Sequence, residues 1–384
     1  MAIKRAYLDY QSTTPLDERV LSAMLPFLTT KFGNPHSAEH NYGWEAEAAL
    51  DVAREQVSTV INGQPESVTF LSGATEANNL ALKGAMERLG HDKPNLVTVA
   101  TEHKCVLEAA QYCASQGYGL TVLPVQQNGL LDLNVLEDAV TGETAIVSVM
   151  AVNNEIGVIQ PLKQIGAICH AKGALFHTDA AQAFGKIPLD VEAMNIDLMS
   201  ISGHKVYGPK GVGALYCRPG NGAVIAPQMH GGGQENGLRA GTQAPALVAG
   251  LGKAAAICAA EMAQEEGRLR GLMARLKREL ASVLPAMRVN GDEDSRWVGN
   301  LNVCFPDLDG DRLFADIRGL AVSSGAACAS AVAEPSYVLD AIGVDKKDAK
   351  ASFRIGIGRM TTDEEIDFAI EKISQAIRNQ GVGA

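Results

Sequence analysis

From about residue 55 to residue 218, short apolar runs alternate with segments in which apolar residues recur at helical spacing. The apolar runs lie at 67–72, 95–100, 144–152, 174–179, 196–202 and 211–217. They are too continuous for strands that are buried on one face only. Because strands buried on both faces belong to parallel sheets covered by helices, the pattern predicts an α/β fold with a mostly parallel sheet.

The segments between these runs predict helices. Helical spacing of apolar residues covers 74–89, 103–115 and 162–173. A longer Ala- and Leu-rich segment, 245–282, predicts a helix that connects the sheet to a second, α+β domain. Residues 361–379 open with a capping Thr and early acidic residues, which is typical of a helix start. Since 384 residues are many for one hydrophobic core, two domains are expected.

Composition and charge narrow the class of protein. Hydrophobic residues make up 46% of the chain and charged residues 20%, which is ordinary for a globular protein in water. The net charge of -11 disfavours a nucleic-acid partner held through its phosphates. The sequence has no run of 18 or more uninterrupted apolar residues, so no membrane span is expected.

The seven cysteines are odd in number and include no C-x-x-C pair, which argues against a disulfide scaffold. We therefore predict a reducing cytoplasmic location, no metal site, and cysteines that are mostly small buried hydrophobes. Cys328 stands apart because it lies in "SSGAACASAVAEPSYV" (323–338), a stretch of mainly small residues. Without further information, a buried small side chain and an exposed reactive thiol are both open for it.

Unusual polar residues follow the predicted strands where those strands end. They are Gly73, Ala74 and Thr75 after 67–72, Glu102 and His103 after 95–100, Asn153 and Asn154 after 144–152, Asp179 and Gln182 at the end of 174–179, and His204 and Lys205 after 196–202. The C-terminal ends of parallel strands share one edge of an open sheet, and ligands bind there. The sequence therefore predicts a ligand site along this edge.

Several of these positions also have a plain structural interpretation. Gly73, Ala74 and Thr75 lie at a helix start, which suits an anion such as phosphate, although Thr75 also fits an ordinary helix cap. Asp179 needs a partner, either a cationic ring nitrogen or a structural Arg. His103 by itself is compatible with a hydrogen-bonded polar side chain that has no catalytic part.

Lys205 carries the most specific signal. It lies in "SISGHKVYGPKGVGALY", a Gly-rich loop between apolar strands, where burial lowers the pKa of a lysine and makes it nucleophilic. A Schiff-base lysine, a carboxylate for a pyridinium nitrogen, an anion-binding helix start and a planar stacking residue are the parts of a pyridoxal phosphate site. A nucleotide loop is disfavoured, because neither G-x-x-x-x-G-K-[ST] nor G-x-G-x-x-G occurs.

The ordered motifs resemble those of one family. In chain order they are "LDYQSTTP", "FGNPHS", "SGATEANN", "TEHK", "VNNEIGVIQP", "HTDAAQ", "SGHKVYGPKGVG", "HGGGQENGLRAGT", "SSGAACAS", "EPSYVL" and "RIGIGR". They resemble the successive signatures of cysteine desulfurases, pyridoxal-phosphate enzymes of the aspartate aminotransferase fold (fold type I) that supply sulfur for iron–sulfur clusters. The match runs from Leu8 to about residue 370, and the segment after Cys328 is similar to the long-loop class. The resemblance implies a cofactor-binding large domain, 16–255, and a small domain, 1–15 with 256–384, that carries the cysteine loop.

The resemblance also implies a role for individual residues. Lys205 would be the Schiff-base lysine and proton shuttle, His103 the residue stacked on the pyridine ring, and Cys328 the nucleophile that accepts sulfur. The other cofactor contacts would be Asp179 at the ring nitrogen, Asn154 and Gln182 near the phenolic oxygen, and Gly73, Ala74, Thr75, Ser202 and His204 around the phosphate, with Thr242 reaching in from a partner subunit. Asn34 and Arg354 would bind the substrate carboxylate, for which an Arg fork is suited.

The implied reaction converts L-cysteine to L-alanine and leaves a persulfide on Cys328 for a sulfur-acceptor or iron–sulfur scaffold protein. A homodimer is expected, because the family shares its phosphate site between subunits. A selenocysteine lyase, a small-amino-acid aminotransferase and a non-catalytic scaffolding subunit are the alternatives. An aminotransferase needs no Cys328, and intact Lys205, Asp179 and Cys328 disfavour the non-catalytic subunit.

Overall fold

The computed structural model describes residues 5–220, 225–324, 326–327 and 334–381. The strands are β1 (Ala6–Tyr7), β2 (Val68–Leu71), β3 (Asn95–Val99), β4 (Gly119–Leu123), β5 (Thr144–Ser148), β6 (Leu175–Asp179), β7 (Leu198–Ser202), β8 (Gly213–Cys217), β9 (Arg288–Val289), β10 (Asn300–Cys304), β11 (Leu320–Ala321), β12 (Ser323–Ser324), β13 (Ala326–Ala327), β14 (Glu334–Pro335) and β15 (Ser352–Gly356). The helices are α1 (Glu18–Thr29), α2 (Asn41–Val60), α3 (Ala74–Leu89), α4 (Lys104–Ser115), α5 (Leu133–Ala139), α6 (Leu162–Ala171), α7 (Pro245–Val283), α8 (Gly310–Asp316), α9 (Tyr337–Ala341), α10 (Lys346–Lys350) and α11 (Asp363–Arg378).

The six predicted apolar runs form six strands of one seven-stranded sheet, in the order β2-β8-β7-β6-β5-β3-β4. Neighbouring strands from β7 through β4 run parallel, whereas β8 is antiparallel to both β2 and β7. Every residue of β5, β7 and β8 is buried, as strands covered on both faces must be. The expected α/β fold with a mostly parallel sheet is confirmed.

Strand β4, at the edge of this sheet, is not predicted by the apolar runs of the sequence. Its sequence "GLTVL" is buried only at its last residue, so it lacks the continuous apolar signal of the central strands. Strand β5 ends at Ser148, before the predicted end at residue 152. Val149 and Ala151 nevertheless donate backbone hydrogen bonds to the carbonyls of His177 and Asp179, so the chain stays beside β6 as it approaches Asn153.

Helix α7 has 39 residues and contains an 18-residue window apolar enough, by length and composition, to cross a membrane. Half of that window is buried here, and α7 packs against α1, α2 and α11. It therefore has the packing of a core helix. It also runs without a break across the predicted domain boundary at residue 255, and the domain division stays a prediction.

A second sheet forms from the C-terminal part of the chain, in the order β12-β15-β10-β9 with antiparallel neighbours. The N-terminal strand β1 pairs in parallel with β11, and Asp9 makes an isolated bridge with Gly356 at the end of β15. The first residues of the chain are thus tied to its last third. This arrangement brings the segment after β1 between the two sheets.

Candidate active site

A cavity of about 680 Å³ lies at the edge where the parallel strands of the large sheet end. Eleven of the predicted site residues line it: Gly73, Ala74, Thr75, His103, Asn154, Asp179, Gln182, Ser202, His204, Lys205 and Arg354. Ten of these follow or end strands of the large sheet, and Arg354 comes from β15 of the second sheet. The fold therefore brings together residues that are up to 281 positions apart in the sequence, from Gly73 to Arg354.

Three predicted residues lie elsewhere. Asn34 is exposed in the loop between α1 and α2, where its side-chain oxygen accepts a hydrogen bond from the amide of His36 at 3.0 Å. Thr242 is also exposed, and it borders a smaller cavity that shares only Ser72 and Gly211 with the main one. Cys328 lies outside the described residues. The roles expected for these three stay predictions.

Asp179 ends β6 with a buried carboxylate. Its Oδ2 accepts a hydrogen bond from Asn78 Nδ2 at 2.7 Å, and its Oδ1 accepts one from the amide of Ala181 at 2.8 Å. Each oxygen keeps a further lone pair, because a carboxylate accepts about four hydrogen bonds in all. The orientation of this carboxylate is thus fixed, while it can still accept from a cationic group in the cavity.

Lys205 lies in a short 3-10 turn that directly follows β7. Its Nζ donates to the carbonyl oxygens of Gln11 at 2.5 Å and of Ser12 at 2.6 Å, in the segment after β1. Partial burial, followed by repulsion from Arg354, lowers the pKa of Lys205 to about 8. A sizeable neutral fraction is therefore present near neutral pH, as a nucleophilic or basic lysine requires.

His103 is the N-cap of α4, and this fixes its ring. Its Nδ1 accepts from the amide of Cys105 at 3.2 Å and lies 2.9 Å from Cys105 Sγ. With Nδ1 serving as an acceptor, the neutral ring carries its proton on Nε2. Burial of the ring against the protein is the main cause that lowers the pKa of His103, and the charge of Lys205 lowers this pKa further. His103 belongs to the exposed residues and lines the cavity, so its ring is accessible from the cavity.

The N-terminus of α3 forms an electropositive wall of the cavity. A side-chain carbon built on Gly73 would meet nothing within 4 Å, so there is open space beside the first amides of the helix. His204 contributes to the same wall, with Nδ1 3.0 Å from Thr13 Oγ1. Burial and the nearby lysines lower the pKa of His204 to about 4, so this ring is neutral and acts as a hydrogen-bond donor or acceptor, not as a charge. Such a wall suits an anion.

Arg354 enters the cavity from β15 and is almost fully engaged. One guanidinium nitrogen donates to the carbonyl of Asn154 at 2.8 Å, and the other lies 2.7 Å from both Asp9 Oδ1 and Ser323 Oγ. The buried Nε has no partner among the described residues, and the same holds for the side-chain oxygen of Asn154. These two polar atoms are therefore buried beside the cavity without a hydrogen-bond partner from the described part of the chain.

Gln182 lines the cavity, but both ends of its amide are already bound. Its Nε2 donates to the carbonyl of Gln11 at 2.7 Å, and its Oε1 accepts from Lys186 Nζ at 2.9 Å. The contact expected with a phenolic oxygen would therefore use the second hydrogen of the amide nitrogen.

The sequence patterns missed two groups of site residues. Gln11, Ser12 and Thr13 line the cavity from the N-terminal segment, which belongs to the motif "LDYQSTTP" but follows no strand of the large sheet. Cys105 also lines it, with Sγ 3.1 Å from Asn78 Nδ2, and burial raises the pKa of this thiol to about 11. Only the position of Cys105, two residues after His103 in the sequence, indicated that it could lie in the site.

Comparisons with known proteins agree with this geometry. The family model for class-V aminotransferases matches residues 6–368. Cysteine desulfurase IscS of Rickettsia bellii (strain OSU 85-389) is 52% identical over 371 residues, which cover 97% of this chain and 90% of that protein. A solved NifS-like protein has a TM-score of 0.90 and 36% identity over 98% of this chain and 100% of its own. The structure titled SspA in complex with cysteine has a TM-score of 0.81 and 36% identity over 93% of this chain and 100% of its own.

The chain belongs to the class-V aminotransferases, whose fold and lysine-bearing cavity it shares. Within that family it is a pyridoxal-phosphate-dependent cysteine desulfurase, as its motifs indicated.

The residues of the cavity fit pyridoxal phosphate. Asp179 is available for the ring nitrogen, the start of α3 for the phosphate, and Lys205 for covalent attachment. The open space beside Gly73 leaves room for such a group, and the buried side-chain oxygen of Asn154 lacks a partner among the described residues. When bound, the cofactor supplies an electron-withdrawing ring that stabilises negative charge on the substrate carbon.

Proposed function

We propose that this enzyme converts L-cysteine to L-alanine and collects the sulfur as a persulfide on Cys328, for delivery to iron–sulfur cluster assembly. The observation that carries the proposal is the convergence of Lys205, Asp179 and His103 on one cavity with Arg354 at its wall. A basic amine, an anchored carboxylate, an aromatic ring and a guanidinium are what amino-acid chemistry on pyridoxal phosphate requires.

In this proposal, Lys205 acts as the base. Its lowered pKa of about 8 allows the neutral amine to take the α-proton of L-cysteine near neutral pH, and to return protons later. Asp179 keeps the cofactor nitrogen protonated, because its carboxylate is held by Asn78 and the amide of Ala181. Arg354 binds the substrate carboxylate by sharing the guanidinium nitrogens that now contact Asp9 and Asn154.

The transfer of sulfur from L-cysteine to Cys328 requires no external oxidant. The Cys328 thiolate attacks the sulfur of L-cysteine, so an S–S bond forms while the C–S bond breaks. The electron pair of the C–S bond stays on the β-carbon, which takes up a proton and becomes the methyl group of L-alanine. The sulfur is thereby oxidised and the carbon is reduced by the same pair of electrons.

The expected partners follow from this chemistry. L-cysteine is the substrate, and a sulfur-acceptor or scaffold protein removes the persulfide sulfur. We further propose that the enzyme works in the cytoplasm as a homodimer in which Thr242 completes the phosphate site of the partner subunit. The exposure of Thr242 outside its own cavity supports this arrangement.

Replacing Cys328 tests the proposal. Cys328→Ser is expected to bind cofactor and cysteine normally, yet to release almost no alanine or sulfide, because the sulfur has no acceptor thiol. The wild type, given cysteine without reductant, should stop after about one persulfide per subunit. Mass spectrometry of the peptide around residue 328 should show one added sulfur atom.

Cys304→Ser is the matched control, since Cys304 is buried on β10 and its sulfur is engaged with the carbonyl of Asp348. This variant should turn over cysteine as the wild type does. If Cys328→Ser makes alanine at the wild-type rate, or if the added sulfur is found on Cys105, Cys113 or Cys304, the proposed function of the loop is wrong.

A further inference from the structure

A second buried lysine lies beneath the cavity, next to the residues that hold Lys205. Lys186 is 7% exposed and follows β6 by seven residues. Its Nζ donates to Gln182 Oε1 at 2.9 Å and lies 4.7 Å from the centroid of the Trp297 ring. A buried cationic group needs such partners, and here they are one amide oxygen and one ring face.

The hydrogen bonds form a continuous chain from Lys186 to Lys205. Gln182 accepts from Lys186 and donates through Nε2 to the carbonyl of Gln11 at 2.7 Å. The same carbonyl accepts from Lys205 Nζ at 2.5 Å. Lys186 is therefore connected to the cavity lysine through one side chain and one backbone oxygen.

This chain of hydrogen bonds fixes the orientation of the Gln182 amide, which would otherwise have two possible orientations. The two ends of a glutamine amide have nearly the same shape, so hydrogen-bond partners decide which end faces which way. Lys186 Nζ donates at one end of the amide and the Gln11 carbonyl only accepts at the other, so these two partners together hold Gln182 with its oxygen toward Lys186 and its nitrogen toward Gln11. The amide nitrogen then has a second hydrogen for an acceptor in the cavity that Gln182 lines.

We propose that Lys186 is a positioning residue of the active site, which holds the Gln182 amide so that its N–H groups face Gln11 and the cavity. This inference relies on the proposed cofactor site, because the acceptor in the cavity would be the phenolic oxygen of pyridoxal phosphate. Burial lowers the pKa of Lys186 to about 7, and the charge of Lys205 adds to this effect. The neutral amine still has two N–H donors, so the contact with Gln182 persists when the proton is lost.

Two substitutions separate the hydrogen bond from the charge. Lys186→Met keeps an unbranched side chain that is one atom shorter and removes the donor, whereas Lys186→Gln keeps an N–H donor and removes the charge. For Lys186→Met we expect a shifted visible absorbance of the cofactor-loaded enzyme, faster cofactor release, and a kcat about tenfold lower with little change in the cysteine KM. Lys186→Gln should stay close to the wild type in all four quantities.

Lys372→Met is the matched control, because the Lys372 Nζ also lies over an aromatic ring, 5.7 Å from the centroid of Phe368, on α11 outside the cavity. It should leave absorbance, cofactor release and kcat unchanged. The melting temperature of each cofactor-free variant measures its stability separately from its activity and absorbance. If Lys186→Met does not fold, Lys186→Gln decides the matter, since an altered absorbance in that variant contradicts the proposed orientation.

The Gln182→Leu background gives the sharpest test. If Lys186 acts through Gln182, adding Lys186→Met to Gln182→Leu should change kcat and absorbance no further. A further loss there, or a Lys186→Met enzyme with a lower melting temperature but unchanged kcat and absorbance, would overturn the inference. Failure of the wild type to form alanine would instead contradict the proposed function, while absorbance and cofactor release would still test Lys186.

Discussion

At the scale of single residues, Lys205 is one of three lysines in or beside the cavity. Lys210 also lines the cavity, and Lys186 lies beneath it. Lys205→Ala should abolish turnover and the covalent attachment of the cofactor, because its amine combines a lowered pKa with a position in the lining of the cavity. Borohydride reduction of the loaded wild type, followed by peptide mapping, should place the cofactor on residue 205. A label on Lys210 or Lys186 would contradict the assignment.

Arg354 offers a second prediction at this scale. Arg354→Lys keeps the charge but loses the planar fork and the unpartnered Nε. Loss of a charged hydrogen bond of roughly 1.5–3 kcal/mol should raise the cysteine KM by about tenfold or more, with a smaller effect on kcat. Steady-state kinetics with cysteine would measure both quantities.

Arg359→Lys is the control for this measurement. Arg359 is held by Asp17 at 3.1 Å and Glu265 at 2.9 Å, and its guanidinium lies over the Tyr207 ring, so it is committed to the structure. This variant should lose stability while the cysteine KM stays near the wild-type value. If Arg359→Lys raised the cysteine KM and Arg354→Lys did not, the substrate carboxylate would have to bind to Arg359 instead of Arg354.

The residues that could be predicted from the sequence are those with a local signal. Lys205 in its Gly-rich loop and Asp179 at the end of an apolar run both line the cavity, because a strand end fixes where its next residues point. The contacts of Gln11 and Lys186 could not be predicted, although Gln11 belongs to a recognised motif. They depend on side-chain hydrogen bonds with Lys205 and Gln182 that the pattern of strand ends does not indicate. Asn34, although it belongs to a recognised motif, lies outside the described cavity.

At the scale of elements, one histidine connects three strands of the large sheet. His177 of β6 is fully buried, with Nδ1 2.8 Å from Ser148 Oγ on β5 and Nε2 3.0 Å from Ser200 Oγ on β7. Desolvation lowers the pKa of His177 to about 3, against an ordinary value near 6.5. The unfolded chain therefore binds a proton here between about pH 6.5 and 3 that the folded chain does not, and stability falls as the pH falls through this range.

His177→Gln should reduce this acid sensitivity. The variant will be less stable than the wild type at pH 7, because one serine contact is lost. The free energy of unfolding of the variant should then depend less steeply on pH. Its slope should be smaller than that of the wild type by about 1.4 kcal/mol per pH unit. Urea unfolding of the cofactor-free protein at several pH values between 6 and 4 measures the slope.

His204 is half-buried, its pKa is lowered to about 4, and it contributes to the remaining slope in the same range. His91→Gln is a suitable control, since His91 is exposed and should leave the slope unchanged. Equal slopes for the wild type and His177→Gln would show that His177 is not kept neutral by the sheet.

At the scale of the whole molecule, the position of Thr242 predicts complementation between subunits. In a mixed dimer of Lys205→Ala and Thr242→Ala chains, one site has both defects, whereas the other combines an intact Lys205 with an intact partner threonine. Mixing and re-forming the two inactive or weakened proteins should therefore restore up to one active site per mixed dimer. Alanine formation that never exceeds the average of the two separate variants would place Thr242 outside the partner's site.

The parallel pairing of β1 with β11, and the Asp9 contact with Arg354, also set the order in which the enzyme can be completed during synthesis. Asp9 and Arg354 are 345 positions apart, and translation proceeds at about 5–20 residues per second, so about 20–70 s pass between their emergence. For most of that interval the first strand has no partner from β11, and throughout it the cavity lacks its guanidinium wall. A nascent chain on the ribosome thus cannot bind cysteine in the finished geometry, and reactive sulfur is generated only after Arg354 has emerged.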